Sequence, residues 1–75
     1  MSDAVGDVIL VLRRAAGMTQ SDLADRLGIT QAALSRYENN MRQPDEGTAA
    51  RIASALGVTP RFLSHEFQMR GAIAA

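Results

Sequence analysis

The feature that most constrains the fold is Gly28, which stands between two short segments with helical periodicity. Apolar residues recur at the spacing of one helix face on both sides of it: Leu23, Ala24 and Leu27 before, and Ala33, Leu34 and Tyr37 after. A turn of three or four residues between helices needs one position that accepts a positive φ, and glycine does so without steric cost. Ala24 is small enough for two steeply crossing helices to approach there. The sequence therefore predicts two short helices joined at Gly28, with Ile29 adding to their shared core.

Start and stop signals predict where these two helices begin and end. Thr19 begins the first, with Asp22 three residues later as an imperfect capping box, and Thr30 begins the second. Asn39 and Asn40 follow the last apolar residue of the second helix. Both predicted helices are therefore short.

The helical period also predicts three further helices. Their apolar faces are Val5, Val8, Ile9 and Leu12; then Ile52, Ala53 and Leu56; then Phe62 and Leu63. Their caps are Asp3, Asp45 after the loop to Pro44, and Thr59 before Pro60. A short strand over residues 8–12 is the alternative for the first segment. Because no longer stretch alternates with period two, we expect an all-α fold, a compact bundle of about five short helices.

Composition excludes several classes of protein. The 47% apolar and 21% charged residues rule out a disordered chain, and 75 residues make one small domain. The chain has no cysteine and one histidine, His65, so no disulfide or Cys/His metal site is expected. Ser64, His65 and Glu66 are consecutive, and consecutive helical residues point about 100° apart, so they cannot form a catalytic relay. We predict neither an enzyme nor a cofactor, and no small-molecule ligand in this domain.

The longest apolar run is too short for a membrane span. It covers residues 8–12 and follows Asp3 and Asp7, whereas a span needs about 20 apolar residues and a signal peptide begins with basic ones. We therefore expect a cytoplasmic protein with no membrane partner.

The distribution of charge is more informative than its sum. The net charge is zero, which by itself argues weakly against a nucleic-acid partner. Residues 13–43, however, carry five arginines against three acids. All eight basic residues are arginine, the side chain suited to planar contacts with phosphate or guanine.

The outward face predicted for the helix after Gly28 consists of small and polar residues. They are Gln31, Ala32, Ser35, Arg36 and Asn39. A helix with such a face fits the major groove of B-form DNA, where Gln suits adenine, Arg suits guanine, Ser bonds either way and Ala packs on a thymine methyl group. Gln20, at the start of the preceding helix, is placed to meet a phosphate.

The run MTQSDLADRLGITQAALSRYENN resembles the helix-turn-helix of lambda-repressor-like regulators of the Cro/C1 type, also called the XRE family. The resemblance spans about residues 8–64 and includes Gln43-Pro44 and the run ARIASALGV. It implies a compact bundle of about five helices, whose second and third form the DNA-binding unit over residues 20–38. Members of this family are typically dimeric repressors or activators of transcription.

Residue roles follow from the resemblance. It implies base contacts by Gln31, Ala32, Ser35 and Arg36, and phosphate or sugar contacts by Gln20, Asn39, Arg42 and Gln43. The structural positions of the motif are Leu23, Ala24, Leu27, Gly28, Ile29, Leu34 and Tyr37, together with Arg13, which in the family often pairs with the glutamate matching Glu38. One departure is visible: Asn40 stands where the family commonly has glycine, and asparagine tolerates the left-handed region better than other non-glycine residues.

Residues 1–67 are thus predicted to form a DNA-binding domain, and residues 68–75 a tail that serves in dimerisation or marks a truncation. We expect a sequence-specific regulator, acting by repression as a homodimer on a pseudo-palindromic site of double-stranded DNA. One alternative is a protein-interaction adaptor that binds no DNA. Others are an antitoxin, a restriction-modification controller, or the amino-terminal domain of a longer signal-sensing regulator.

Overall fold

The computed structural model of the chain describes residues 5–60 and Leu63. This part contains four helices: α1 (Val5–Ala15), α2 (Gln20–Leu27), α3 (Gln31–Glu38) and α4 (Glu46–Ala55). The all-α prediction is confirmed, and α1 covers residues 8–12, so the strand alternative was wrong. The predicted cap Asp3, Phe62 in the predicted fifth helix and the tail over residues 68–75 lie outside the described residues. No helix in the described part is both long and apolar enough to cross a membrane.

The helix starts use the caps that the sequence predicts. Thr19 and Asp22 form a complete capping box, each side chain accepting a hydrogen bond from the other's backbone N–H at 3.0 Å. The Oγ1 atom of Thr30 accepts from Ala33 N–H at 3.0 Å. At the start of α4, Asp45 Oδ1 accepts from Thr48 N–H at 2.7 Å. These bonds satisfy backbone donors that a helix cannot satisfy internally.

Gly28 adopts the left-handed conformation, with φ 68° and ψ 30°, and ends α2. Gly28 N–H donates to Asp25 O at 3.2 Å, and Ile29 N–H donates to Ala24 O at 3.0 Å. The guanidinium of Arg51 on α4 donates to the carbonyl of Leu27, which is another of the terminal acceptors of α2. The turn between α2 and α3 is therefore closed both by its own backbone and by α4.

The core lies where α2 and α3 cross, with α1 packed against α3 and α4 packed against α2. Its fully buried large side chains come from all four helices and from one residue beyond them: Ile9, Leu23, Leu34, Ile52 and Leu63. Ala24, Leu27, Tyr37 and Ala53 complete it. Ile29 packs against this cluster but is only partly buried. Because α3 has helices on two sides, its orientation is set by packing.

The C-terminus of α3 meets the first turn of α1. Asn40 follows α3 with φ 60°, and its Oδ1 atom accepts from Gly6 N–H at 3.0 Å. Its Nδ2 atom donates to Asp7 Oδ1 at 2.9 Å. A β-carbon on Gly6 would overlap both the carbonyl oxygen of Tyr37 and the side chain of Asn40. Position 6 therefore has to be glycine for this contact to form.

Candidate nucleic-acid interface

Helix α3 has one buried side and one exposed side. Leu34, Tyr37 and Glu38 are buried among the other helices. On the opposite side Gln31, Ala32, Arg36 and Asn39 are exposed, and Ser35 is partly exposed. The structure thus brings together on one surface all four residues to which the sequence analysis assigns base contacts. This surface, made of Gln31, Ala32, Ser35 and Arg36, is called the reading face below.

The reading face begins at the positive end of a helix. Thr30 caps α3 at its N-terminus, and no acidic residue lies in the first turn. The partial positive charge of a helix N-terminus favours negatively charged groups nearby. The guanidinium of Arg36, in the last turn of α3, adds a full positive charge to the same exposed surface.

A buried ion pair joins α1 to the opposite side of α3. Arg13 Nε lies 2.6 Å from Glu38 Oε2, and Arg13 Nη2 lies 3.1 Å from Glu38 Oε1. Arg13 Nη1 also donates to the carbonyl of Met18 at 2.8 Å. The hydrogen bond to Glu38 raises the pKa of the Arg13 guanidinium above its ordinary value, although burial acts in the opposite direction. With only 8% of Arg13 exposed, its guanidinium serves this pair and is not available to phosphate.

Gln20, the first residue of α2, makes contacts that the sequence analysis did not foresee. Its Nε2 atom donates to Glu38 Oε1 at 3.0 Å, and its Oε1 atom accepts from Gln31 Nε2 at 3.4 Å. The side chain is partly buried. Its amide is thus bonded within the protein, and the expected phosphate contact would have to use bonding capacity that remains.

Three of the four residues assigned to the DNA backbone follow the reading face along the chain: Asn39, Arg42 and Gln43. Asn39 Nδ2 donates to the carbonyl of Ser35 at 2.9 Å and to its Oγ atom at 3.2 Å, which holds the Asn39 amide against the last turn of α3. The guanidinium of Arg42 lies 5.9 Å from the centre of the Tyr37 ring, within cation–π range. Gln43 is exposed. Asn39 therefore lies beside Ser35 at the C-terminal end of α3, and Arg42 lies near Tyr37.

Sequence reasoning missed Gly6 and Arg51, which hold the interface in shape, and it singled out Asn40 without identifying its partner. Gly6 and Asn40 connect the ends of α1 and α3, and Arg51 closes the end of α2. The departure from glycine at position 40 was the one available signal, because asparagine favours positive φ at helix ends. No local pattern indicated that Gly6 would touch it, since the two residues are 34 positions apart.

The described residues contain no group of His, Asp or Glu side chains that could hold a metal ion. The reading face itself presents one amide, one methyl group, one hydroxyl group and one guanidinium group. These groups form hydrogen bonds and apolar contacts with base edges and phosphates.

Comparison with known proteins gives consistent matches. The profile of a family described as helix-turn-helix matches residues 9–63. An uncharacterized HTH-type transcriptional regulator of Bacillus subtilis (strain 168), YqaE, is 39% identical over 51 residues, covering 68% of this chain and 44% of that protein. The SPbeta prophage-derived regulator YonR of the same strain is 34% identical over 58 residues, covering 77% of this chain and 54% of that protein.

A third relative matches over most of its own length. The HTH-type transcriptional regulator y4dJ of Sinorhizobium fredii (strain NBRC 101917 / NGR234) is 39% identical over 59 residues, covering 79% of this chain and 77% of that protein. The chain spans about half the length of the two Bacillus relatives.

Proposed function

Because the chain belongs to the helix-turn-helix family of the Cro/C1 type, we propose that it is a transcriptional regulator that recognises a specific sequence of double-stranded DNA. Membership of a family of regulators agrees with the prediction that the chain is not an enzyme. The further proposal is that it acts as a homodimer and represses transcription.

The observation that carries this proposal is the reading face itself. Its residues are small or polar, they are exposed together, and the helix that presents them is fixed from behind by Leu34, Tyr37 and Glu38. A major groove about 12 Å wide admits an α-helix, and hydrogen-bonding side chains on such a helix distinguish the four base pairs. Because tertiary packing already holds the helix backbone in place, DNA binding does not have to order it, which lowers the cost of recognition.

A dimer would place two copies of α3 in successive major grooves, about 34 Å apart, on a pseudo-palindromic site. The family resemblance supports this arrangement. Repression would follow where such a site overlaps a promoter. Selection of duplexes from a random library tests the assignment, and enrichment of a palindrome is the expected result. No enrichment would instead favour the adaptor function, for which the zero net charge is the supporting observation.

Arg36 is expected to read one base position. Arg36→Ala should weaken binding to the selected duplex by about 1–3 kcal/mol, because a bidentate contact to guanine is lost. Preference at that single position should relax as well. Fluorescence-anisotropy titrations on the selected duplex and on a random duplex measure both effects.

Arg26→Ala is the matched control, since Arg26 is also exposed but lies on α2 outside the reading face. The Arg26→Ala variant should keep the wild-type base preference at every position of the duplex. If Arg36→Ala weakens binding to the selected and random duplexes equally, Arg36 does not read a base.

The narrower roles are separate proposals, and one of them, the amino-terminal domain of a longer signal-sensing regulator, agrees with a chain that spans about half the length of two relatives. An antitoxin would bind a second protein, and a signal-sensing regulator would carry a further domain. Pull-down of a specific protein partner would support the antitoxin role. The parent reading frame would show whether a signal-sensing domain follows this one.

A further inference from the structure

A line of hydrogen bonds connects the buried ion pair to the reading face. Glu38 Oε1 accepts from Arg13 Nη2 at 3.1 Å and from Gln20 Nε2 at 3.0 Å. Gln20 Oε1 accepts from Gln31 Nε2 at 3.4 Å. Glu38 is 4% exposed, Gln20 is partly buried and Gln31 is exposed, so the line runs from the interior to the surface.

Glu38, at the buried end of this line, determines the orientation of the side-chain amides of Gln20 and Gln31. A carboxylate only accepts hydrogen bonds, so Gln20 must present its NH₂ group to Glu38. The oxygen of Gln20 then faces Gln31, and because that oxygen also only accepts, Gln31 must present its NH₂ group to Gln20. What remains of the Gln31 amide for a molecule outside is the carbonyl oxygen and one N–H.

An oxygen beside one N–H fits adenine and does not fit guanine. In the major groove adenine offers the N6 donor and the N7 acceptor, whereas guanine offers two acceptors, O6 and N7. If both amides were reversed, Gln20 would donate to Gln31 and both N–H groups of Gln31 would point outward. That orientation would suit guanine. The orientation of the Gln20 and Gln31 amides therefore determines whether Gln31 fits adenine or guanine.

We propose that Glu38 is a positioning residue for base recognition, which makes Gln31 select adenine over guanine by fixing the orientation of the Gln20 amide. Glu38 does this from the buried side of α3, without touching DNA. The inference rests on the proposed function, because it requires Gln31 to lie in a major groove.

Glu38→Gln is the direct test. An amide at position 38 both donates and accepts, so the Gln20 amide is no longer restricted to one orientation. The base pair read by Gln31 is first identified as the position whose preference disappears in Gln31→Ala. Affinities are then measured for two duplexes that carry adenine or guanine there. The wild type is expected to prefer adenine by roughly tenfold or more, and Glu38→Gln to prefer it by less than about threefold, with preferences elsewhere unchanged.

Glu38→Gln disturbs a buried pair, so the folding of that variant has to be checked by circular dichroism. Gln20→Met is therefore used as a second variant. It removes the amide that connects Glu38 to Gln31 but leaves the two hydrogen bonds between Arg13 and Glu38 in place. It is expected to lose the same preference for adenine. Asp25→Asn is the control for charge, since it removes one carboxylate from an exposed position of α2, and it should behave as the wild type.

The outcomes separate this inference from the function on which it rests. If folded Glu38→Gln keeps the wild-type preference for adenine, Glu38 has no such role, and the proposed function still stands. If Glu38→Gln does not fold, retention of the preference by Gln20→Met overturns the proposal in the same way. A wild type that prefers guanine at this position also overturns it. A wild type that selects no DNA sequence removes the proposed function and this inference together.

Discussion

Arg13 and Arg14 are neighbours in the chain, but only Arg13 lies inside the molecule. Its side chain is 9% exposed and links α1 to α3 through Glu38, whereas Arg14 is exposed. A buried charge that loses its partner is costly, because the remaining ion has neither water nor a counter-ion around it. An exposed charge stays hydrated whether or not it is paired. The two arginines should therefore contribute very unequally to stability.

Arg13→Leu is expected to lower the free energy of unfolding by about 3–5 kcal/mol, since Glu38 is left buried without its cation. Arg14→Leu should change it by no more than about 0.5 kcal/mol. Urea unfolding followed by circular dichroism measures both. The double variant Arg13→Leu with Glu38→Leu should lose less than Arg13→Leu alone, because no unpaired charge remains. Similar losses at positions 13 and 14 would contradict the expected cost of leaving Glu38 buried without a cation.

Helix α3 is short, and the rest of the fold holds it at both ends. It has eight residues, a length at which an isolated helix is only marginally stable in water. At its start Gln31 bonds to Gln20 of α2, and after its end Asn40 bonds to Gly6 of α1. Its buried side packs between α1 and α2. The reading face therefore keeps its shape because of tertiary contacts, with little help from helix propensity.

Two aspartates near helix starts make the stability of the fold depend on pH in the acidic range. The hydrogen bond from Thr19 N–H lowers the pKa of Asp22 below its ordinary value of 3.8, and the hydrogen bond from Thr48 N–H does the same for Asp45. A carboxyl group with a lower pKa in the folded state stabilises that state above its unfolded pKa. This contribution is lost as the pH falls through the folded pKa.

The midpoint of thermal unfolding is therefore expected to fall as the pH drops below about 3.8, the ordinary pKa of these carboxyls. Replacement of Asp22 and Asp45 together by asparagine keeps an oxygen acceptor at each cap but removes the titration. The curve of midpoint against pH should then be flatter in this range. Asp25→Asn serves as the control, because Asp25 is exposed and neither begins a helix nor belongs to a capping box. A double variant as acid-sensitive as the wild type would rule out this cause.

The charge of the whole molecule limits how tightly it can bind DNA of arbitrary sequence. The net charge is zero, and the excess of arginine is confined to residues 13–43. Non-specific binding depends on the number of phosphates neutralised, and the logarithm of the binding constant falls by about 0.9 per phosphate for each tenfold rise in salt. Few phosphates would be neutralised here, so affinity for random DNA should be weak.

Titration of a random duplex from low to physiological salt is expected to show weak binding with a shallow salt slope. The selected duplex should bind more tightly at every salt concentration, because base contacts add a term that salt does not screen in the same way. Tight binding of random DNA at physiological salt would contradict the charge argument.

Across the whole molecule, the sequence predicted the roles of residues that act on their neighbours better than it predicted hydrogen bonds between residues far apart in the chain. Thr19, Thr30 and Asp45 act within their own helix starts, and Gly28 within its own turn, so their roles can be read from neighbouring residues. The bond from Gln20 to Glu38 joins residues 18 apart. Because an amide turns toward whichever partner the fold supplies, its direction becomes known only when α2 and α3 are seen packed together.

The contact between Gly6 and Asn40 has a consequence for anyone who transplants this helix. Moving residues 31–40 into a related scaffold would carry the asparagine but not the glycine that makes room for it. A recipient with any side chain at the position of Gly6 would push its first helix away from the graft. The smallest transferable piece of this fold is therefore discontinuous in sequence, and a chimaera would have to include the opening turn of α1 to inherit the orientation of α3.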